Sequence, residues 1–323
     1  MITEKLNYSK IYIKTYIYHM QKISTDVIII GGGMAGLSSA IWCKRLGLKC
    51  IVLEENSVPG GQLNGIGFEI TDYPGRKAYG KQFAQEICTQ AEESDVIVKT
   101  GEKVLAIDKE NHIVRTDSFE YSSRALIYAA GLQRRAPNFD TKNFNEIYYS
   151  VSQNRERFQN RRVVIVGGGD GAYEAALNLH GFAASITIVS RSVPRAHQRF
   201  LREVKKKKDI VIFENTEIAQ IVAGPSCFHA VLSGPEAENF ETAIDILLVK
   251  TGFEPNSGIV QNLCSLDAAG YILTDSHQKT DAERIWAVGD VCNALYPSLS
   301  ACAGHAGVAV KNIASTIFNK NHD

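Results

Sequence analysis

The stretch TDVIIIGGGMAGLSSAIWCKRLG, residues 25–47, decides the fold class of this chain. It begins with a continuous β-branched run, which is typical of a strand buried on both faces. Gly31, Gly33 and Gly36 follow at a spacing that suits a tight turn, close approach of a pyrophosphate, and close packing of a helix on the strand. A helical segment then extends to about Gly47. The pattern predicts a strand–turn–helix unit that binds a dinucleotide.

The next strand strengthens this interpretation. It reads KCIVLEE at residues 49–55 and carries Glu54 twenty-one residues after Gly33. At that spacing a carboxylate can accept hydrogen bonds from the ribose hydroxyls of an adenine dinucleotide. The alternative is an ordinary glycine-rich turn between a strand and a helix.

The same unit occurs a second time. The stretch RRVVIVGGGDGAYEAALNLHGF at residues 161–182 predicts another strand, glycine turn and helix, with Gly167, Gly169 and Ala172 at the same spacing. The strand SITIVS follows at residues 185–190. Two dinucleotide sites in one chain imply one tightly held redox cofactor and one diffusible reductant. A flavin paired with a nicotinamide is the natural combination.

The second unit differs from the first at its ribose position. Ser190, followed by Arg191, stands twenty-one residues after Gly169, where the first unit has Glu54. A carboxylate there would repel a 2′-phosphate, whereas a guanidinium matches it, so we predict NADP(H) rather than NAD(H). Arg195 joins Arg191 if the turn between them folds back. The alternative is that both arginines lie on a solvated surface.

The composition restricts the class of protein. With 323 residues, 45% of them hydrophobic and 22% charged, the chain is predicted to form two globular domains. Thirty-five basic residues balance 35 acidic ones, which argues against a protein that coats nucleic acid or anionic lipid. No window approaches the roughly 18 apolar residues of a membrane span, so we predict no membrane insertion.

The cysteines and the N-terminus carry further predictions. The seven cysteines include no CxxC motif and no zinc-like spacing, so we predict no metal site, reduced thiols and a cytoplasmic location. Residues 1–22 are predicted to be an N-terminal extension without the features of a secretory signal. Two alternatives stay open for this segment: Met20 is the true start, or the segment is an amphipathic arm that docks on a partner.

Eight motifs, taken in order, resemble one family. It comprises the low-molecular-weight thioredoxin reductases and the ferredoxin/flavodoxin NADP reductases of the same type, and the resemblance covers residues 23–318. The motifs are GGGMAG (31–36), GGQL (60–63), DYPG (72–75), the predicted helix GKQFAQEICTQAEES (80–94), YAAG (128–131), GGGDGA (167–172), TGFEPN (251–256) and WAVGD (286–290).

The resemblance implies an α/β fold with two Rossmann-like dinucleotide-binding domains. The FAD-binding domain would consist of residues 23–130 and 251–323, interrupted by an NAD(P)H-binding domain at residues 131–250. A homodimer is expected from the resemblance alone.

The resemblance also implies roles for individual residues. Gln62 would lie near the flavin, Asp290 would bind the ribitol chain, and a helix beginning near Ser298 would point its N-terminus at the flavin. The last role has an independent reason, since a helix N-terminus stabilises the negative charge of reduced flavin. The implied FAD site comprises Gly31, Gly33, Met34, Ala35, Gly36, Glu54, Glu55, Gly61, Gln62, Leu63, Ala130, Gly131, Gly289, Asp290, Ser298 and Leu299. The NADPH site comprises Gly167, Gly169, Asp170, Gly171, Ala172, Ser190, Arg191 and Arg195.

One feature of these thioredoxin reductases is missing. Their redox-active CxxC lies just before the second glycine turn, but residues 146–169 contain no cysteine. Without paired thiols beside the flavin, no dithiol can relay electrons to thioredoxin. The ferredoxin/flavodoxin NADP reductases also lack the pair, although they usually carry a longer tail than the 33 residues that follow Asp290 here. A redox role for Cys292 or Cys302 is an alternative to core packing.

Basic residues are concentrated near the second unit. The first cluster lies between residues 191 and 208, where Glu203 is the only acid. Such patches, this one and a second cluster just before the second glycine turn, would attract NADPH and an acidic carrier such as ferredoxin or flavodoxin. Because few aromatic residues lie within the first cluster, nucleic-acid binding is not expected. A solvated helix face is the alternative. If the stretch is helical, Arg195, Arg199 and Arg202 share one face. The first cluster is Arg191, Arg195, Arg199, Arg202, Lys205, Lys206, Lys207 and Lys208, and the second is Arg155, Arg157, Arg161 and Arg162.

The leading hypothesis is a FAD-dependent NADPH oxidoreductase that passes electrons to an external carrier. The alternatives are a thioredoxin reductase-like enzyme that reduces a disulfide or small oxidant without the CxxC, and a flavin-bound redox sensor. No catalytic residue is predicted, because hydride transfer needs alignment more than acid–base groups, although His197 and His305 are candidate proton donors. The segments near 128–150 and 248–256 are predicted hinges.

Overall fold

The computed structural model describes residues 21–67, 69–141, 143–151, 155–235, 237 and 240–319. Its strands in these ranges are β1 (Gln21–Ile30), β2 (Cys50–Glu54), β3 (Glu69–Ile70), β4 (Ala78–Tyr79), β5 (Ile97–Thr100), β6 (Val104–Asp108), β7 (Ile113–Thr116), β8 (Phe119–Tyr128), β9 (Leu132–Arg134), β10 (Ile147–Tyr148), β11 (Arg162–Val166), β12 (Ser185–Val189), β13 (Ile210–Phe213), β14 (Glu217–Ala223), β15 (Phe228–Ser233), β16 (Phe240–Ile244), β17 (Ile246–Val249), β18 (Phe253–Pro255) and β19 (Ile285–Ala287). Its α-helices are α1 (Met34–Arg45), α2 (Gly80–Glu93), α3 (Asp170–Leu179), α4 (Gln198–Lys205) and α5 (Leu299–Asn319).

The first glycine turn belongs to a mixed sheet. Its strands follow the order β5-β2-β1-β8-β7-β6, and β19 also pairs with β8. The pairs among β5, β2, β1, β8 and β19 are parallel, whereas β6, β7 and β8 form an antiparallel meander. All strands but β19 lie between residues 21 and 128, so the sheet is completed only when the chain returns near its C-terminal part.

Strand β1 is buried on both faces, as its continuous β-branched run predicts. Val27 and Ile29 pack in one cluster with residues of α1 and α5. Ile28 and Ile30 pack in a second cluster with the meander and with side chains between residues 260 and 291. Each buried isoleucine contributes about 1.5–3 kcal/mol through the removal of apolar surface from water. This burial holds the glycine turn at the carboxyl end of the strand in a fixed position.

The second glycine turn belongs to a parallel sheet with the order β10-β17-β11-β12-β13. Helices α3 and α4 cover one face, and the antiparallel sheet β14-β15-β16 packs on the other. From β11 the chain proceeds to β12 and β13 on one side, while β17 is added on the opposite side of β11. Parallel α/β sheets bind ligands at such a reversal, outside the carboxyl ends of the strands. Both dinucleotide units therefore fold as predicted.

Two segments connect the sheets, and they pair with each other. Strands β9 and β18 form an antiparallel ribbon in which Arg134 lies opposite Phe253. The hydroxyl of Tyr128, at the end of β8, donates to the carbonyl oxygen of Asn256 over 2.8 Å. The ribbon lies within the segments that the sequence predicts as hinges.

The chain start differs slightly from the prediction. Strand β1 begins at Gln21, which pairs with Phe119, so the last residues of the predicted extension belong to the sheet. Residues 1–20, including Met20, lie outside the described residues. Among the helices that the structure describes, none combines the length and the apolar character needed to span a bilayer.

The second basic cluster makes contacts within the protein, and Arg162 has a structural role, while the cluster's role as a steering patch stays a prediction. Arg162 donates from Nε to Asp245 over 3.0 Å and from Nη2 over 2.6 Å, and its backbone N–H donates to the same carboxylate over 2.9 Å. The guanidinium holds the pKa of the Asp245 carboxyl below its usual range. The other members contact nearby side chains: Arg161 lies 3.9 Å from Asp245, Arg155 lies 5.0 Å from the Phe182 ring, and Arg157 donates to the Tyr148 hydroxyl over 3.1 Å.

We expect the substitution Asp245→Asn to lower the free energy of unfolding by about 1–3 kcal/mol at pH 7, because it breaks a charge-assisted network at the start of β11. A carboxyl whose pKa is lowered by folding stabilises the protein above the unfolded pKa, and this contribution is lost as the pH falls. Urea unfolding should therefore show a difference from the wild type that shrinks below about pH 4. A pH-independent difference would contradict the prediction. Glu283→Gln, in an exposed pair with Arg284, is the control and should change stability by less than about 1 kcal/mol.

Candidate functional site

The three motif glycines of the first turn differ in why glycine is needed. Gly31 has φ +104, and a Cβ there would lie 2.4 Å from the carbonyl oxygen of Ala129. A Cβ on Gly36 would lie 1.9 Å from the carbonyl oxygen of Gly31, so helix and strand could not approach as they do. Gly33 has φ −80, and the nearest atom to a Cβ would be the Cα of Gly61 at 3.9 Å. Neither strain nor crowding within the protein explains Gly33. The open space beside it, at the N-terminus of α1, fits the diphosphate of a dinucleotide.

Glu54 lies at the end of β2 beside this turn and is 4% exposed. Its Oε2 accepts the backbone N–H of Gly32 over 2.7 Å, and its Oε1 accepts the backbone and side-chain N–H groups of Asn56 over 2.9 and 2.6 Å. A carboxylate offers about four acceptor positions, so one is left for a ribose hydroxyl. Glu55 is exposed instead, and its carboxylate lies 3.8 Å from the ammonium of Lys103.

Residues of the predicted FAD site that are far apart in the sequence meet around Gln62. Its Nε2 donates to Asp290 over 3.3 Å, although the two residues are 228 positions apart. A Cβ on Gly131, which follows Ala130 after β8, would lie 3.6 Å from the same Nε2. Gly289 lies close to the first turn, since a Cβ on it would be 2.6 Å from Cβ of Ala35. Met34 and Leu299 pack against the apolar cluster that contains Leu63.

The second glycine turn repeats this arrangement. Gly167 has φ +147, and a Cβ there would lie 2.3 Å from the carbonyl oxygen of Lys250. Gly169 has φ −99, and a Cβ there would meet no atom within 4 Å. Gly169 therefore resembles Gly33 in leaving open space at the N-terminus of a helix, here α3. Ala172, the third position of the motif, is fully buried within the helix.

The ribose position of the second unit holds a serine and no carboxylate. Ser190 is 2% exposed, and its hydroxyl donates to the carbonyl oxygen of Ser192 over 2.6 Å. The backbone N–H of Arg195 donates to the carbonyl oxygen of Gly168 over 2.7 Å, so the turn after Arg191 folds back over the glycines. Both arginines are exposed. Arg195 is predicted to join Arg191 if the turn between them folds back, and the turn does fold back.

Helix α4 corrects one prediction and shows the local contacts of His197 and Asp170. It begins at Gln198, so Arg195 is outside it and does not share a helical face with Arg199 and Arg202. His197 is the N-cap, and its Nδ1 accepts the backbone N–H of Arg199 over 3.3 Å. The backbone N–H of His197 donates to Asp170 over 2.6 Å. Asp170, a predicted NADPH ligand, therefore joins α3 to the start of α4, and His197 has a structural role.

A family model described as pyridine nucleotide-disulphide oxidoreductase matches residues 25–311, which include both glycine turns and the Asp290 segment. The chain belongs to this family. A thioredoxin reductase of Peptoclostridium acidaminophilum is 30% identical over 88% of this chain and 95% of its own length. The 34.2 kDa protein in the rubredoxin operon of Clostridium pasteurianum is 30% identical over 88% and 94%. The crystal structure of Lactococcus lactis thioredoxin reductase in its FR conformation is 27% identical, covers 91% of this chain and 99% of that chain, and has a TM-score of 0.78.

This pyridine nucleotide-disulphide oxidoreductase is a FAD-containing, NADPH-dependent enzyme of the thioredoxin reductase type. The open space at Gly33 and Gly169 and the acceptor position left on Glu54 fit the two dinucleotides. The described residues contain no group of three or more His, Cys, Asp or Glu side chains that could hold a metal ion.

Helix α5 of this oxidoreductase begins at Leu299 beside Asp290. The Ser298 hydroxyl accepts the backbone N–H of Ala301 over 3.2 Å and so caps the helix. Burial raises the pKa of Asp290, while hydrogen bonds from Cys302 and Gln62 oppose the shift. Cys302, in the first turn of the helix, contacts Asp290, and the helix dipole favours negative charge at this end.

The two cysteines near this helix are unsuited to thiol exchange. Burial raises the pKa of Cys292 to about 12, and it raises the pKa of Cys302 further. The Cys302 thiol donates to Asp290 over 3.6 Å. Burial lowers the pKa of His305, whose Nδ1 accepts the backbone N–H of Gly289 over 3.3 Å. Because both thiol pKa values are raised well above 7, both cysteines favour the protonated form at neutral pH.

Sequence reasoning missed two cations beside the second turn, Lys250 and Arg134. Lys250 follows β17, and its ammonium donates to the carbonyl oxygen of Tyr149 over 2.9 Å. The Arg134 guanidinium lies 5.5 Å from the centre of the Tyr149 ring and 4.9 Å from that of Phe253. A lysine directly after the buried apolar strand ILLV was the available signal, because carboxyl ends of parallel strands point into the ligand crevice.

Proposed function

We propose that this oxidoreductase passes electrons from NADPH to an acidic one-electron carrier such as ferredoxin or flavodoxin. The observation that carries the proposal is the chemistry around Asp290, where the thiol of buried Cys302 donates to its carboxylate and partly buried Cys292 has a raised pKa. When bound, FAD supplies the capacity to accept a hydride and to release electrons singly. Residues 146–169 contain no cysteine, and the thiols near Asp290 have raised pKa values, so in this proposal the electrons pass from the flavin to an external acceptor without a dithiol relay.

In this proposal the residues predicted from the sequence hold the cofactors. Backbone N–H groups at the start of α1 bind the FAD diphosphate beside Gly33, and Glu54 binds the adenosine ribose. Asp290 and Gln62, already hydrogen-bonded to each other, orient the ribitol and flavin. The proposed domains are residues 23–130 with 251–323 for FAD and residues 131–250 for NADPH. A homodimer in the cytoplasm completes the proposal.

The basic residues of and around α4 favour an acidic partner. Arg191, Arg195 and Arg202 are exposed, and among the described residues none of them lies within 4 Å of a carboxylate. The ion pair of this region is between Lys206 and Glu203, at 2.6 Å. An unpaired positive surface accelerates association with an acidic protein, and salt weakens the effect. The relative named for a rubredoxin operon supports a small redox carrier as partner.

An acceptor panel tests the proposal. Turnover with NADPH and with NADH is measured for ferredoxin, flavodoxin, rubredoxin, thioredoxin, small disulfides and a neutral quinone, at several salt concentrations. We expect NADPH to be preferred, and kcat/KM for an acidic carrier to fall with salt while that for the quinone does not. Efficient turnover only with thioredoxin or a disulfide would instead support the second candidate, a disulfide reductase, which the thioredoxin reductase relatives favour.

We expect alkylation of the NADPH-reduced enzyme with iodoacetamide at pH 7.5 to leave carrier reduction unchanged. The reason is that only thiolates react, and the pKa values of Cys292 and Cys302 lie far above this pH. Turnover is measured before and after treatment, and mass spectrometry identifies the modified cysteines. Loss of turnover in proportion to modification of either residue would contradict the proposal and favour thiol chemistry.

A further inference from the structure

Lys250 and Arg134 lie on one side of the crevice beside the second glycine turn. Lys250 follows β17, the strand added on the opposite side of β11 from β12. Its Cδ would lie 3.9 Å from a Cβ on Gly171, so the side chain runs past the N-terminus of α3. Ser190 and Arg191, at the carboxyl end of β12, lie on the other side of the same turn.

The electrostatics of this pair are unfavourable without an anion. Burial lowers the pKa of Lys250, the nearby charge of Arg134 lowers it further, and Glu174 opposes the shift only in part. Among the described residues neither cation lies within 4 Å of a carboxylate. Lys250 is half-buried and Arg134 is exposed; their like charges repel each other, and a bound anion relieves the repulsion.

Both side chains already have contacts within the protein. The Tyr149 carbonyl occupies one of the three N–H donors of Lys250, which leaves two for a ligand. The Arg134 guanidinium is held against the rings of Tyr149 and Phe253. Cations held in this way lose little conformational entropy when an anion binds.

A dinucleotide at this turn has a defined direction. The 2′-phosphate and adenosine ribose belong near Arg191, at the end of β12, and the diphosphate belongs at the open space beside Gly169. The nicotinamide half must then extend towards β17. We propose that Lys250 and Arg134 bind the nicotinamide-side phosphate of NADPH and so direct the nicotinamide towards the β9-β18 ribbon. This inference rests on NADPH as the reductant, and it does not depend on which carrier accepts the electrons.

Two ligands separate this subsite from the adenosine side. NADP⁺ contains the nicotinamide-side phosphate, whereas adenosine 2′,5′-bisphosphate lacks it and retains the rest of the adenosine half. The dissociation constants of both are measured by calorimetry on the FAD-loaded enzyme. For Lys250→Met we expect binding of NADP⁺ to weaken about 10- to 100-fold, as for loss of a charge-assisted hydrogen bond, and that of the bisphosphate to change less than about twofold. Arg134→Gln should show the same pattern.

Two variants serve as controls. Lys250→Arg keeps the charge and should recover most of the NADP⁺ affinity. Arg191→Ala removes the proposed 2′-phosphate contact and should weaken both ligands alike. Equal weakening of both ligands by Lys250→Met, or no weakening of either, would overturn the inference, and so would wild-type enzyme that binds the bisphosphate as tightly as NADP⁺. Failure of every acidic carrier in the acceptor panel would overturn the proposed acceptor and leave these binding results intact.

Discussion

Replacement of Gly169 by aspartate is expected to abolish NADPH binding and to leave FAD bound. Gly169 is the N-cap of α3 with φ −99, and a side chain there meets no protein atom within 4 Å. Aspartate is a favoured N-cap, so the fold should be retained. Its carboxylate would occupy the space of the NADPH diphosphate, where like-charge repulsion costs several kcal/mol and lowers affinity by about 100-fold or more.

The measurements are the rate of flavin bleaching by NADPH and the dissociation constant of NADP⁺. The visible spectrum of the purified variant reports its FAD content. Gly169→Ser is the matched control, because it adds a good N-cap of similar size without a charge and should have a much smaller effect. Normal bleaching by Gly169→Asp would show that the diphosphate does not bind at this turn.

The equivalent substitution at the first turn, Gly33→Asp, should give a colourless, folded protein. Gly33 is the N-cap of α1, and the nearest atom to an added Cβ is 3.9 Å away, so the substitution is tolerated in the absence of cofactor. The new carboxylate would face the FAD diphosphate and also lie near Glu54, which approaches the neighbouring Gly32. We expect FAD affinity to fall by about 100-fold or more.

Circular dichroism checks the fold of this variant, and flavin released by denaturation measures its FAD content. Gly33→Ser again serves as the uncharged control. Gly258→Ala controls for a general effect of adding a Cβ, because a Cβ there would meet no atom within 4 Å. A yellow Gly33→Asp protein with full FAD content would contradict the assignment of this turn. Together the two substitutions separate the two dinucleotide sites.

Local patterns predicted those parts of the structure that depend on short stretches of chain. The strand–glycine–helix units are found at both predicted positions, and α2 spans Gly80–Glu93 where the motif at 80–94 predicts a helix. These elements depend on hydrophobic periodicity and on backbone sterics, which neighbouring residues determine. Helix α4 shows the limit. A hydrogen bond from Arg195 to Gly168, 27 residues away, holds its approach in a non-helical conformation, and helical spacing of the arginines does not reveal that bond.

Charges were the least predictable feature, because a cation in the sequence carries no sign of its partner. Arg162 looked like part of a surface patch until folding brought Asp245, 83 residues away, to its guanidinium. Lys250 and Arg134 are 116 positions apart in the sequence, and no local pattern links them. The parallel pairing of β17 with β11 and the β9-β18 ribbon bring them together. Long-range pairing, not composition, decides which charges are neutralised.

Residue identity alone predicts the two dinucleotide turns, the acid at one ribose position and its absence at the other, and the lack of a dithiol before the second turn. Each of these is a matter of residue identity at fixed local spacing. Only the folded chain brings Gln62 to Asp290, raises the pKa values of partly buried Cys292 and buried Cys302, and brings two cations together beside the second crevice. Burial and charge proximity depend on segments more than 100 residues apart, and only the folded chain brings such segments into contact.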